Sequence, residues 1–188
     1  LNLAGGDGRM HLYDCRLRAL RGDGSVIFDG VPPTQYRDNL LEAVRHWRYL
    51  TFPPLRSLGR EEGWYRVGPL ARLNLCSHMG VPQADAELKN FKALGHGAVT
   101  SSFLYHYARL IEILASLEFI GRYLDDPELA SDNLRADAGI NSLHGVGASE
   151  APRGTLFHDY TVDRNGLLKK VNLIVATESL TFMAAYAG

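Results

Sequence analysis

Cysteine is scarce. Cys15 and Cys76 are the only two in 188 residues; they stand far apart and have no partner at metal-ligand spacing. That argues against a disulfide framework and points to a reducing, cytoplasmic compartment. Net charge is also small, at −1, so there is no basic field to hold nucleic acid or an anionic membrane surface. No long uncharged apolar run occurs. The most apolar segment, Val99 to Leu124, carries Arg109, Glu112, Glu118 and Arg122, which excludes a lipid-facing span. The start, "LNLAGGDGRM", lacks the charged and apolar regions of a secretory signal, and it lacks an initiator methionine. With the ending "TESLTFMAAYAG", which stops without a helix end, this predicts a piece of a longer protein. Repeats and low-complexity runs are absent.

What is present is ordinary for a globular domain: 46% hydrophobic and 22% charged residues. "MHLYDCRLRALRGDGSVIFDG" reads as a β-hairpin, with Leu12, Leu17 and Leu20 before a Gly22-Asp23-Gly24 turn and Val26, Ile27 and Phe28 after it. Pro32, Pro33 and Thr34 then open a predicted helix carrying Tyr36, Leu40, Leu41 and Val44. The Pro- and Gly-rich segment 51–74 reads as an irregular loop. "PQADAELKNFKAL" predicts a short amphipathic helix. A long one follows, in which Phe103, Tyr107, Leu110, Ile111, Leu114, Leu117 and Ile120 form a buried face central to a bundle. Asp126-Pro127 ends it, and a further helical segment covers Pro127 to Ala138. "GTLFHDYTVD", "RNG" and "LLKKVNLIVAT" form a second hairpin. The fold class is therefore α+β, mainly helical, with a helical bundle core and β-hairpins near both ends.

Arg153 is the residue that invites a chemical reading. Pro152 fixes its own φ and biases Ala151 towards an extended conformation, while Gly154 permits close backbone approach. A guanidinium held in this way offers five donors in a rigid fork, suited to an anionic ligand or to developing charge. The competing reading is a surface arginine in a turn, paired with Glu150 or Asp159.

Several segments carry a family resemblance in order and spacing: "HLYD", "YRVGPLARLN", "ADAELKNF", "VTSSFLYHYARLIEILA" and "LRADAGINSLHGVGASEAPRG", with the hairpin to about Thr177. The chain resembles the interior of the nickel–iron hydrogenase large subunit, of the cytoplasmic, NAD-linked bidirectional type. Residues 1–188 would form a single partial domain, and 178–188 an atypical tail that departs from the family pattern. The resemblance implies reversible heterolytic cleavage of dihydrogen at a nickel–iron centre with cyanide and carbon monoxide ligands. In the family that centre is bound by two Cys-x-x-Cys pairs, which this chain lacks; it alone is expected to hold no metal and to be inactive. Arg153 and Pro152 match the residues lining the pocket over the centre, where the arginine faces the cyanide ligands. Glu150 belongs to the same motif, as a site residue or as the structural partner of a nearby cation. The implied partners are flavin/iron–sulfur diaphorase subunits and an iron–sulfur small subunit. "LAGGDG" lacks the strand–turn–helix context of a nucleotide loop, so NAD is assigned to a partner.

The remaining candidates are read as structural. Cys15 and Cys76 are small packed residues, and His106 is a satisfied core histidine. His158 serves local hydrogen bonding, and His11, His46, His78, His96 and His144 make no metal site. Arg66 and Arg72 tie loops together. Two other readings stay open: a metal-free subunit like the quinone-site subunit of respiratory complex I, and a separate structural protein using the Arg153 turn as a scaffold.

Overall fold

The computed structural model describes residues 1–13, 15–46, 48–135 and 142–176. Among the described residues there are three antiparallel sheets and five α-helices. The first sheet has the order β1 (Asn2–Ala4), β2 (Arg16–Leu20), β3 (Val26–Val31). Its hairpin closes as read from the sequence, with Gly24 at φ +87° and the Asp23 carboxylate accepting from the Ser25 N–H. A 3₁₀ turn (Pro33–Gln35) leads into α1 (Tyr36–Asn39), and a two-stranded sheet of β4 (Ala43–Arg45) and β5 (Arg48–Phe52) follows. The helices α2 (Gly59–Glu62), α3 (Pro69–Leu75), α4 (Pro82–Lys92) and α5 (Leu104–Leu124) come next. The last sheet is β6 (His144–Ala151), β7 (Gly154–Val162) and β8 (Leu168–Ile174), in that order.

Two cores divide the molecule. One packs α3, α4 and α5 around Leu70, Leu73, Met79, Leu88, Phe91 and Ile111. The other packs the first and last sheets around Leu3, Leu17, Tyr36, Leu40, Leu55 and Phe157, with the Tyr36 ring stacked on Phe157 at 5.1 Å. Helix therefore does not dominate: strand and α-helix share the described residues almost evenly. The expected helical bundle is one of two cores.

Several local expectations are corrected. The helix predicted from Thr34 through Val44 stops after one turn, because Leu40 turns extended to bridge Leu55 and enter the sheet core. Val44, on β4, is left exposed. Segment 51–74 is not wholly irregular, since Pro69 stands at the first turn of α3 with Gly68 before it at φ +76°. Strand β6 runs through "HGVGASEA", whose glycines hide any alternation, and it forms because β7 pairs with it at every position from Thr161 to Gly154. Of the helical segment predicted for Pro127 to Ala138, the described residues form a 3₁₀ turn, Pro127–Ala130; positions 136–138 lie outside the described residues, as does the atypical tail.

Helix α5 is also not central. Its buried residues are Ala108, Ile111 and Ala115, where small side chains let neighbouring helices approach. Of the predicted face, Phe103, Leu110, Leu117 and Ile120 are exposed. His106 is exposed too, not a core histidine. Helix α5 still organises its neighbours. The Glu118 carboxylate accepts from the Gln83 and Ala84 N–H groups and so caps the start of α4.

Candidate functional site

The Pro152-Arg153 pair is the two-residue loop between β6 and β7, closed by the Ala151–Gly154 pair. On this hairpin, directly opposed residues share a face. Glu150 lies opposite Thr155, Ala148 opposite Phe157, and Val146 opposite Asp159, so one face carries all six inward. Gly154 has φ +150°, and a Cβ there would stand 2.6 Å from the Val67 side chain. A Cβ on Gly68 would stand 2.8 Å from the Arg153 carbonyl oxygen. The turn thus lies against the start of α3, and both contacts exclude a side chain.

Arg72, on α3, lies beneath the turn with its side chain 2% exposed. Its Nε and Nη2 donate to the two oxygens of Glu112 on α5, at 2.5 and 2.8 Å. Nη1 donates to Glu150 Oε2 at 3.0 Å and to the Ala151 carbonyl at 2.9 Å, and Nη2 reaches the Pro152 carbonyl at 3.3 Å. Burial alone would lower the pKa of this guanidinium, but Glu112 and Glu150 outweigh it and hold the pKa above its ordinary value. The Glu150 side chain is wholly buried and also accepts from the Leu3 N–H at 3.0 Å and from the Thr155 hydroxyl at 2.7 Å. Burial pushes the Glu150 pKa up, against the pull of Arg72 and these donors. The Tyr105 hydroxyl donates to the Val67 carbonyl, which fixes the residue before Gly68; burial pushes its pKa up to about 12.

A cleft of about 400 Å³ opens beside this cluster, lined by Met10, Arg72, Arg109, Glu112, Glu150 and Pro152 among others. Of the three residues singled out from the sequence, Pro152 and Glu150 line the cleft and Arg153 is exposed on the adjoining turn. Glu150 is resolved as the partner of Arg72. Asp159 pairs instead with Arg37 at 2.9 Å and His144 at 2.8 Å. Among the described residues, no carboxylate is in ion-pair range of Arg153, so the surface-pair reading fails for both carboxylates it named.

Arg72 is more than a loop tie, and Glu112 was read from the sequence only as a charge that excludes a membrane span. The signal for Arg72 was available: a lone cation within the otherwise apolar "PLARL" of a short helix. Arg66 keeps the tying role, donating to the Ser102 hydroxyl at 3.2 Å. His158 bonds Tyr160 locally at 2.5 Å.

Cys15 and Cys76 are both buried, and burial pushes the Cys76 thiol up to about 12, far from a thiolate ligand. Among the described residues, no three His, Cys, Asp or Glu side chains gather as a metal ion would require. No helix among them is long and apolar enough to cross a membrane.

No protein-family model matches the chain. Over 171 residues it is 40% identical to a subunit of the vhu F420-non-reducing hydrogenase of Methanococcus voltae, covering 91% of this chain and 40% of that protein. Over 180 residues it is 40% identical to NAD-reducing hydrogenase HoxS subunit beta of Cupriavidus necator, covering 93% and 36% respectively. The structure matches a chain in the crystal structure of NAD+-reducing NiFe-hydrogenase in the H2-reduced state. The TM-score is 0.91 at 41% identity, over 99% of this chain and 41% of that one. The homologues are hydrogenase subunits, and the chain spans about two fifths of the length of the curated relatives it matches.

Proposed function

We propose that this chain forms part of the catalytic large subunit of an NAD-linked nickel–iron hydrogenase, working in the cytoplasm with a flavin-containing diaphorase and an iron–sulfur small subunit. The whole protein would split dihydrogen reversibly into protons and electrons, and the electrons would reach NAD through the partners. Similarity to hydrogenase subunits over nine tenths of the chain supports the reading. The observation that carries it to a residue is Arg153: an exposed guanidinium without a carboxylate partner among the described residues, on a turn held from beneath by a buried charge cluster.

This donor set fits one part of a nickel–iron centre and not another. The two buried thiols do not fit as metal ligands, so the thiolates belong to parts of the subunit outside the described residues. Arg153 does fit as a donor to anionic ligands on the iron, because cyanide in an apolar pocket needs hydrogen bonds and a guanidinium supplies several. Pro152, with no N–H of its own, adds an apolar wall beside it. The centre, when bound, supplies the heterolytic splitting of dihydrogen. Arg153 would donate to the anionic ligands of that centre, and Glu150 anchors the strand that carries the turn.

Arg153→Lys in the full-length complex tests this reading. Lysine keeps the charge and loses the planar fork. Dihydrogen-dependent NAD reduction at equal nickel occupancy is expected to fall roughly 10²- to 10³-fold, equivalent to about 3–4 kcal/mol. The cyanide stretching bands in the infrared should shift, while the diaphorase reaction stays unchanged. Activity within a few-fold of the parent, with unmoved bands, would reduce Arg153 to a turn residue.

A further inference from the structure

Arg72 uses its whole fork. A guanidinium has five N–H donors, and Arg72 makes five contacts: two to Glu112, one to Glu150, and one each to the carbonyls of Ala151 and Pro152. Those two carbonyls immediately precede Arg153 in the chain. A cross-tie between helix and sheet needs no such group, since well-packed apolar side chains stabilise a buried contact as well as an ion pair does. Holding two successive backbone carbonyls together with two carboxylates needs a planar, multi-donor cation. Gly68, immediately before the same helix, lacks a side chain and so lets the Arg153 carbonyl approach. The turn is thus located by α3 twice, once by donors and once by space.

We propose that Arg72 is the positioning residue for Arg153: by fixing the Ala151 and Pro152 carbonyls from below, it sets the direction in which the Arg153 guanidinium leaves the turn. This rests on the reading of Arg153 as a donor over the metal centre. Arg72 itself touches no reacting group. Its own charge is taken up by Glu112 and Glu150, and its effect on turnover passes through the backbone of residues 151 and 152. Lysine at this position would keep a charge for the carboxylates but has only three donors on one atom, too few to hold both carboxylates and both carbonyls.

The test compares Arg72→Lys with Arg153→Lys in the full-length hydrogenase complex at equal nickel content. Arg72→Lys is expected to speed amide hydrogen exchange across residues 148–156 at least tenfold and to move the cyanide stretching bands in the same direction as Arg153→Lys. It should also lower kcat for dihydrogen roughly 10- to 100-fold, as a misaimed group does, with little change in KM. A role in stability alone would leave the bands and the kcat of the metal-loaded molecules untouched. Unmoved bands, or unchanged exchange across 148–156, would overturn the inference, and a normal response of Arg153→Lys beside them leaves the functional reading standing. Should Arg153→Lys itself change neither bands nor rate, it is the functional reading that falls. If Arg72→Lys does not assemble, Glu112→Gln, which weakens the grip on the fork from its more open side, should shift the bands in the same direction by a smaller amount. Unshifted bands in that variant would equally refute the role.

Discussion

One face of the β6–β7 hairpin carries two polar clusters at opposite ends, each built around a buried carboxyl, and they are built differently. At the turn, Glu150 and its cation Arg72 are both sealed, at 0% and 2% side-chain exposure. Towards the open end, Asp159 is buried at 6%, but its partners are half in water, Arg37 at 47% and His144 at 58%. Apolar residues, Ala148 and Phe157, separate the two. The carboxyls also shift in opposite directions. Burial raises the pKa of Glu150. At Asp159 burial works the same way, but His144, Tyr36 and Arg37 outweigh it and hold the carboxyl below its ordinary value. A sealed cluster fixes geometry and resists salt, and breaking it strands a charge. An open cluster is screened and loosely held. The sealed one stands at the turn, where a fixed direction matters to the proposed chemistry.

The largest loss is expected from Glu150→Ala in the full-length protein. It leaves the Arg72 Nη1, the Thr155 hydroxyl and the Leu3 N–H without their acceptor, and removal of one partner of a buried pair costs about 3–5 kcal/mol. Denaturant unfolding would measure it, and a loss below about 1 kcal/mol, typical of exposed pairs, would mean that the cluster is not sealed. Gly68→Ala should come next, at about 1–3 kcal/mol, because alanine at φ +76° is strained and its Cβ meets the Arg153 carbonyl. Gly6→Ala, with nothing within 4 Å and no positive φ, is the matched control and should be near neutral.

At the open end the effects shrink. Arg37→Ala should cost about 0.2–1 kcal/mol and lose its effect in high salt. The acid limb of the stability curve separates the two carboxyls. Because the folded pKa of Asp159 lies below its unfolded value of 3.8, its contribution is complete above that value and is lost as pH falls through the folded pKa. Asp159→Asn should therefore flatten stability below about pH 4. Glu150, shifted upward, has the opposite sign and adds nothing to that loss. An unchanged acid limb in Asp159→Asn would place the titration elsewhere.

Legibility in the sequence followed the range of the forces. The two hairpins flanking Asp23 and Gly166 and the helices α4 and α5 rest on local turn chemistry and on 3.6-residue spacing, and they were readable. The "EAPRG" word was readable by resemblance, although β6 was not: a strand containing Gly145 and Gly147 declares itself only through its pairing with β7. Helix α5 was found, but its orientation was not. Large aliphatics surround most of it, and the buried side is marked by Ala108 and Ala115, which a search for bulky residues passes over. The Arg72 cluster joins residues 40 and 78 positions apart, and no local pattern announces partners at such range.

The contact between Gly68 and the Arg153 carbonyl has a consequence for mutational tolerance. "GPLAR" and "EAPRG" lie about eighty positions apart and share no strand or helix, yet the first excludes a Cβ because of the second, and the cation of the first bonds both a carboxylate and two backbone carbonyls of the second. The information in the two words is therefore joint. A library randomising either one samples only half of a single constraint, and in a library randomising both, survivors should be correlated in pairs, with substitutions at 68 or 72 tolerated chiefly where the turn at 151–154 has changed with them.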